Sequence, residues 1–151
     1  MAKSKFQRAV EDTPEISSGY RQGLRALKKN ERGKVVSLNN SLNNGSLDID
    51  LSVKSMYPND NRWDYAFGYS GKVCYVEVHP AYTSEVSKVE AKLKWLKRWL
   101  RDKAPLLNAI PKASPAYIWV QTQGAYILPG SSEARKLSTL GITLTSVHKL
   151  K

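Results

Sequence analysis

A single cysteine, Cys74, occurs in the 151 residues, set inside an apolar run. That scarcity excludes a disulfide framework or a multi-cysteine zinc site within one chain, and it fits a reducing compartment. Long apolar runs are missing too: no charge-free stretch approaches the roughly 18 residues that a membrane span needs, and no signal-peptide core follows Met1. The expectation is a soluble, cytoplasmic protein with no membrane partner. Acidic residues are few, 13 Asp plus Glu against 24 Lys plus Arg, for a formal net charge of +11. Such an excess favours a polyanionic partner, and nucleic acid gains affinity from each neutralised phosphate because condensed counterions are released. With 41% apolar and 25% charged residues the chain sits near ordinary globular usage, against wholesale disorder or a fibrous repeat. Its length suits one domain, and it carries no internal repeat.

Residues 1–17 mix charges with Pro14 and read as an N-terminal arm with one short helix around Phe6 to Glu11. From Ser18, Tyr20, Leu24 and Leu27 recur at helical spacing among Arg21, Arg25, Lys28 and Lys29, predicting a basic amphipathic helix that ends near Gly33. Residues 39–46 are Asn, Ser, Leu and Gly and read as a loop. Leu47, Ile49, Leu51 and Val53 then alternate with Asp48, Asp50 and Ser52, the pattern of a strand with one buried face. Two further strands, 62–69 and 72–79, are joined by Ser70-Gly71 as a tight hairpin. Val86, Val89, Leu93, Leu96 and Leu100 trace one stripe of a long helix from about Ser84 to Lys103. A fourth strand follows at 116–120, a short helix at 132–140 stopped by Gly141, and a last strand through Ile142, Leu144 and Val147.

A two-residue hairpin loop dictates its own register. Tyr69 faces Lys72, Gly68 faces Val73, and continuing outward Asp64 faces Glu77 and Arg62 faces His79. Opposed Cβ atoms lie about 5 Å apart, and like charges so placed destabilise a sheet unless something positive sits between them. A hard divalent cation, which takes oxygen ligands, answers that need. Pro80 cannot donate to a ladder, so pairing stops there and a mouth opens beside His79.

Asp64, then after twelve residues Glu77-Val78-His79, set in an order of helix, three-strand meander, helix and strand, resembles the PD-(D/E)XK superfamily, the restriction-endonuclease-like fold, over residues 18–148. The resemblance implies an α/β core, a central mixed sheet of a three-strand antiparallel meander plus two further strands, flanked by helices. Residues 18–151 would then form a single nuclease-like domain. It also implies a metal-dependent endonuclease hydrolysing phosphodiester bonds in DNA, ahead of RNA, with Mg²⁺ or Mn²⁺. Asp64 and Glu77 take the place of the metal ligands, and with His79 they match the catalytic motif. Trp63 stands where a proline is usual, and His79 where a lysine is expected. A neutral imidazole can orient or deprotonate a water but lacks a permanent charge, which Lys88 would supply. Asp48 and Asp50 on the neighbouring strand are further candidate ligands.

Candidate nucleic-acid-binding residues are Arg62, Lys92, Lys94, Arg98, Arg21 and Arg25. Trp95 and Trp99 lie among the helix's basic residues, and two roles stay open for them: stacking on bases, or widening the apolar stripe. Tyr65, Phe67 and Tyr69 alternate on the hairpin as packing residues. Two other readings stand beside the nuclease: a non-catalytic nucleic-acid-binding protein on the same fold, and a small basic RNA- or ribosome-associated protein whose acids are structural; Asp64 and Glu77 could also be an ordinary exposed pair at a sheet end, or be neutralised by Arg62 and a lysine. The small mass points to a homodimer or to a partner supplying specificity.

Overall fold

A computed structural model describes residues 2–123 and 127–151 of the chain. Helix α1 (Lys5–Glu11), capped by the Ser4 hydroxyl, forms where expected. Strand β1 (Tyr20–Arg21) and strand β2 (Val35–Ser37) follow, with short turns between them, and then strand β3 (Asn43–Asp48) and helix α2 (Ile49–Val53). Strands β4 (Tyr65–Tyr69) and β5 (Lys72–His79) make the hairpin. Helix α3 (Val86–Lys103) and the short α4 (Pro105–Asn108) lead to β6 (Lys112–Gln121). Helix α5 (Ser132–Leu140) precedes β7 (Ile142–Thr145) and β8 (His148–Leu150).

Six strands form one mixed sheet in the order β1-β3-β4-β5-β6-β7, and β2 and β8 form a separate parallel pair. The β3-β4-β5 part is an antiparallel meander, while β6 runs parallel to β5 and β7 parallel to β6. The architecture is therefore mixed α/β, a mixed sheet flanked by helices. Ala66, Val73, Tyr75 and Trp119 point to the face covered by α1 and α3, and the whole predicted stripe of α3 is buried there. On the other face Phe67, Cys74, Val76 and Ile118 pack under Leu27, Val35 and Leu150, so a small β layer stands where a helix could have been. Among the described residues no helix is long and apolar enough to cross a membrane.

Between residues 18 and 53 three sequence expectations fail, each for a tertiary reason, and the last strand stops at Thr145, short of Val147. The helix over 18–33 does not form. Tyr20 instead pairs with Leu47 at the sheet edge, and two glycines interrupt the segment, Gly23 with φ +53° and Gly33 with φ +90°. Helical periodicity there came from side chains that serve different layers: Leu27 is buried under the sheet while Tyr20 touches Phe6 on the other face. The loop over 39–46 is half strand, because Asn43 to Ser46 find partners on β4 across a register shift at Gly45. The strand over 47–53 ends at Asp48, whose carboxylate accepts from Leu51 N–H at 2.8 Å and caps α2. Spacing four apart then buries Ile49 and Val53, and Leu51 is left 66% exposed.

The segment before residue 18, expected as an arm, packs into the shared core through Phe6, Val10 and Ile16. Glu15 there accepts from Trp99 Nε1 at 3.0 Å and from the Tyr57 hydroxyl, while Trp95 Nε1 donates to Asp60 at 3.0 Å. The two indoles stack on each other at 5.6 Å and are only 4% and 3% exposed. Both are packing residues, and no base can stack on them.

Gly68 in β4 is where α1 lies closest to the sheet: a methyl group added there would meet Phe6 Cγ at 2.6 Å and Phe6 Cβ at 2.8 Å. Alanine normally suits a strand better than glycine, but here the overlap decides the sign. Gly68→Ala is expected to lower unfolding free energy by about 1–3 kcal/mol, read from urea denaturation; an unchanged midpoint would mean that α1 does not dock as described.

Candidate active site

Ser70 and Gly71 both take positive φ, +51° and +78°, the backbone of a two-residue hairpin turn whose twist matches that of the strands. The turn sets the register as the sequence requires, from Tyr69 opposite Lys72 to Tyr65 opposite Val76. One step further out, side chains replace the ladder. Asp64 N–H donates to Glu77 Oε1 at 3.2 Å, and Val78 N–H donates to Asp64 Oδ2 at 2.9 Å. The two acids are thus locked together at the end of the hairpin, with Glu77 fully buried and Asp64 part-exposed at the rim.

Helix α3 supplies the compensating charge. Lys92 Nζ donates to Glu77 Oε2 at 2.5 Å. Burial pulls the Lys92 ammonium down, yet Glu77 and Asp64 together outweigh that and hold it above the usual lysine value. Burial raises Glu77 well above an ordinary glutamate, and the neighbouring Asp64 raises it further against the opposing pull of Lys92. Burial likewise pushes Asp64 up to about 6, against Lys92 and the Val78 N–H. Among the described residues Asp64 has no ion-pair partner, whereas Glu77 has Lys92. Two carboxylates therefore share one ammonium, and the site retains an unmet demand for positive charge.

His79 closes one side. Its Nδ1 lies 3.9 Å from Glu77 Oε2, and its Nε2 lies 3.4 Å from Glu85 Oε2, poorly aligned for a hydrogen bond. Burial and then Lys92 lower its pKa, which keeps the ring neutral at pH 7. Its carbonyl accepts from Trp119 Nε1 at 2.9 Å, fixing the end of β5.

The structure brings Asp64, Glu77 and His79 together, and the lysine that joins them is Lys92 rather than Lys88. Lys88 is exposed on the first turn of α3, and among the described residues it forms no ion pair, while Lys92, one turn deeper, reaches the carboxylates. Both lie on the same helix side, and only the depth at which α3 crosses the sheet separates them. Lys92 is thus engaged by Glu77 rather than free on an outer nucleic-acid-binding face. Arg62 does not face His79, because β4 begins only at Tyr65. Its guanidinium turns to Asp50 at 2.7 Å and to the Tyr57 carbonyl. Asp50 is occupied by that pair, and Asp48 by its capping role and by Lys28 at 3.5 Å, so neither is a free ligand. Lys94 lies 3.8 Å from Glu90, and Arg98, Arg21 and Arg25 are exposed, Arg21 on the edge strand. Glu31, which accepts from the Tyr65 hydroxyl, and Glu85 are acids near the site that sequence spacing gave no means to find.

Hard-cation chemistry needs oxygen donors and uncompensated negative charge, and the Asp64–Glu77 pair offers both. Among the described residues no group of three or more His, Cys, Asp and Glu side chains converges as a metal-binding set, so any ion here would draw on two carboxylates, main chain and solvent.

Because Asp64 is raised in the folded state, its contribution favours folding at low pH and is lost as pH rises from near 4 through about 6. In chelator, Asp64→Asn should gain about 1.4 kcal/mol relative to wild type between pH 5 and pH 8, as measured by denaturation at both pH values; a difference that does not vary with pH would contradict the raised value. Removing the ammonium leaves the buried acids unpaired. Lys92→Met is accordingly expected to cost about 2–4 kcal/mol at neutral pH and less as the pH falls, because burial already raises Glu77 and favours its protonated form. Adding Glu77→Gln to Lys92→Met should recover most of that loss, and a double variant as unstable as Lys92→Met would break the assignment.

No protein-family model, no curated protein and no solved structure matches this chain.

Proposed function

We propose that the chain is a metal-dependent nuclease of the PD-(D/E)XK kind, acting on DNA or RNA phosphodiesters at the Asp64–Glu77 pair. The observation that carries this reading is the ladder end itself: Glu77 accepts from the Asp64 N–H and Asp64 from the Val78 N–H, while Lys92 pairs with Glu77 and leaves Asp64, among the described residues, without an ion pair. The sheet order supports it in part: the antiparallel meander β3-β4-β5, helix α3 and the parallel strand β6 follow in the sequence that the resemblance implies, while the helix expected ahead of them over 18–33 is replaced by strands and turns. The charge of +11 supports a phosphate-bearing substrate.

Asp64 and Glu77 would hold Mg²⁺ or Mn²⁺, which when bound supplies charge neutralisation at the phosphate and makes water a better nucleophile at neutral pH. Hydrolysis joins a water oxygen to phosphorus and breaks a P–O ester bond; one water proton must go to a base, and the departing oxygen must gain one. His79, neutral and beside Glu77, is the base in reach. Lys92 supplies the permanent charge, directed to the phosphate oxygens once the acids are otherwise neutralised, and this role replaces the one expected of Lys88. With little mass beyond the core, duplex cutting would call on a second copy or a specificity partner.

A specific observation favours the second reading, a non-catalytic nucleic-acid-binding protein on the same fold: Lys92 already satisfies Glu77, and the motif lysine is His79. One experiment separates the two. Plasmid DNA and single-stranded RNA are incubated with protein in Mg²⁺ or Mn²⁺, and melting is followed with and without the ion. The nuclease reading expects cutting that falls about a hundredfold in Asp64→Asn, Glu77→Gln and Lys92→Met, together with an ion-dependent rise in melting temperature of about 2–4 °C in wild type only. Salt-sensitive binding without cutting or ion-dependent stabilisation would overturn it in favour of the second reading.

A further inference from the structure

Where the helix over 18–33 fails to form, turns take its place, and residues 25–34 carry Arg25, Lys28, Lys29, Arg32 and Lys34 against the single acid Glu31. This run is pinned to the sheet. Leu27 is buried, Ala26 N–H donates to the Ser46 hydroxyl at 3.0 Å, and Lys28 N–H donates to the Tyr65 hydroxyl at 3.0 Å. That hydroxyl donates in turn to Glu31 Oε1 at 2.5 Å, so the one acid is directed inward. Tyr65 opens β4 and directly follows Asp64, which puts the run at the same end of the hairpin as the carboxylate pair. Lys28 Nζ, 3.5 Å from Asp48, is close enough to pull the Asp64 carboxyl down, while Glu31 pushes it up.

Anchoring uses Lys28 and Glu31 but leaves Arg25, Lys29 and Arg32 exposed, and among the described residues none of these three forms an ion pair. Helix α3 is equally basic, yet its cations are mostly engaged: Lys92 by Glu77, Lys94 by Glu90 at 3.8 Å, Arg101 by Asp102 at 2.8 Å, and Lys97 over the Tyr117 ring at 5.1 Å. Lys72, Lys149 and Lys151 gather at the turn end of the hairpin, the opposite end of β5 from Glu77. Residues 21–34 contain no Phe, Tyr or Trp. Surfaces that hold single strands combine cations with rings on which bases stack. A run of cations without a ring meets phosphates alone, and a duplex, its bases turned inward, presents one charge per about 1.7 Å of axis.

We propose that the 25–34 run is the docking surface for the backbone of a nucleic-acid duplex, with Arg25, Lys29 and Arg32 on its phosphates, and that it sets the duplex beside the Asp64–Glu77 end of the hairpin. This rests on the nucleic-acid partner that the nuclease and the non-catalytic binding protein share, and not on cutting. The grip reads no sequence. Because the run is already fixed to Tyr65 and Ser46, binding has little backbone left to order.

The test uses the full chain in chelator and follows the anisotropy of a labelled DNA duplex over a salt series. Arg25→Glu, Lys29→Glu and Arg32→Glu combined should weaken binding by roughly tenfold or more and flatten the slope of log affinity against log salt by about 2–3. Lys72→Glu, Lys149→Glu and Lys151→Glu combined change the net charge equally and should cost no more than about twofold. One strand of the duplex alone, and polyglutamate, should each bind more weakly than the duplex. In the unaltered chain, bound duplex should slow acetylation of Lys29 more than that of Lys149, a readout that needs no variant. Equal losses in the two triple variants, tighter binding of the single strand or of polyglutamate, or equal protection of the two lysines would each overturn the proposal. Failure of the nuclease reading looks different: duplex still binds through 25–34, and no cutting follows when Mg²⁺ is added. Metal-dependent cutting of duplex that the first triple variant does not slow would keep the nuclease and remove this surface.

Discussion

Two side chains stand in for a rung of β-sheet at the open end of the β4–β5 hairpin, and the rest of the site follows from that exchange. Asp64 takes the N–H of Val78, and Glu77 takes the N–H of Asp64. A ladder continued by backbone alone would have left both acids to find other partners. Here each carboxylate is bound into the partner strand, so they cannot swing apart to relieve their repulsion. The cost of keeping two acids near each other in a dry setting appears as raised pKa values, and Lys92 offsets only part of it.

Helix α3 lies at the depth it does because its stripe from Val86 to Leu100 is buried against Tyr75, Trp119 and their neighbours. That depth brings Lys92 onto Glu77 and leaves Lys88 in solvent. The Trp95–Trp99 stack, tied through Glu15 and Asp60 to the preceding segments, restrains the helix from its outer side. Of the two roles that spacing left open for Trp95 and Trp99, packing is the one they take, as part of the clamp that positions the lysine. The opposite face is organised differently: a thin β2–β8 layer with Leu27 buries Phe67, Cys74, Val76 and Ile118.

Much of this was legible in the sequence where signals were local. Ser70-Gly71 permitted one turn, and the Asp64–Glu77 register followed from it. The stripe of α3, the Gly141 stop of α5 and the short helix α1 were equally local. Legibility failed between residues 18 and 53. There, apolar spacing mixed side chains that belong to different layers, and the polar segment 43–46 became a strand because β4 offered it backbone partners. Asp48 ended that strand by capping α2, which also removed it and the Arg62-bound Asp50 from the list of free ligands.

By itself the sequence determined that two acids meet across a hairpin, beside a histidine, on a strongly basic chain, since turn geometry and strand alternation act over a few residues. Only the tertiary structure decided which lysine joins them, which acids are already spent in pairs, and what covers each sheet face. Those outcomes depend on how deeply a helix crosses a sheet and on what covers each layer, distances set by packing between residues far apart in the chain.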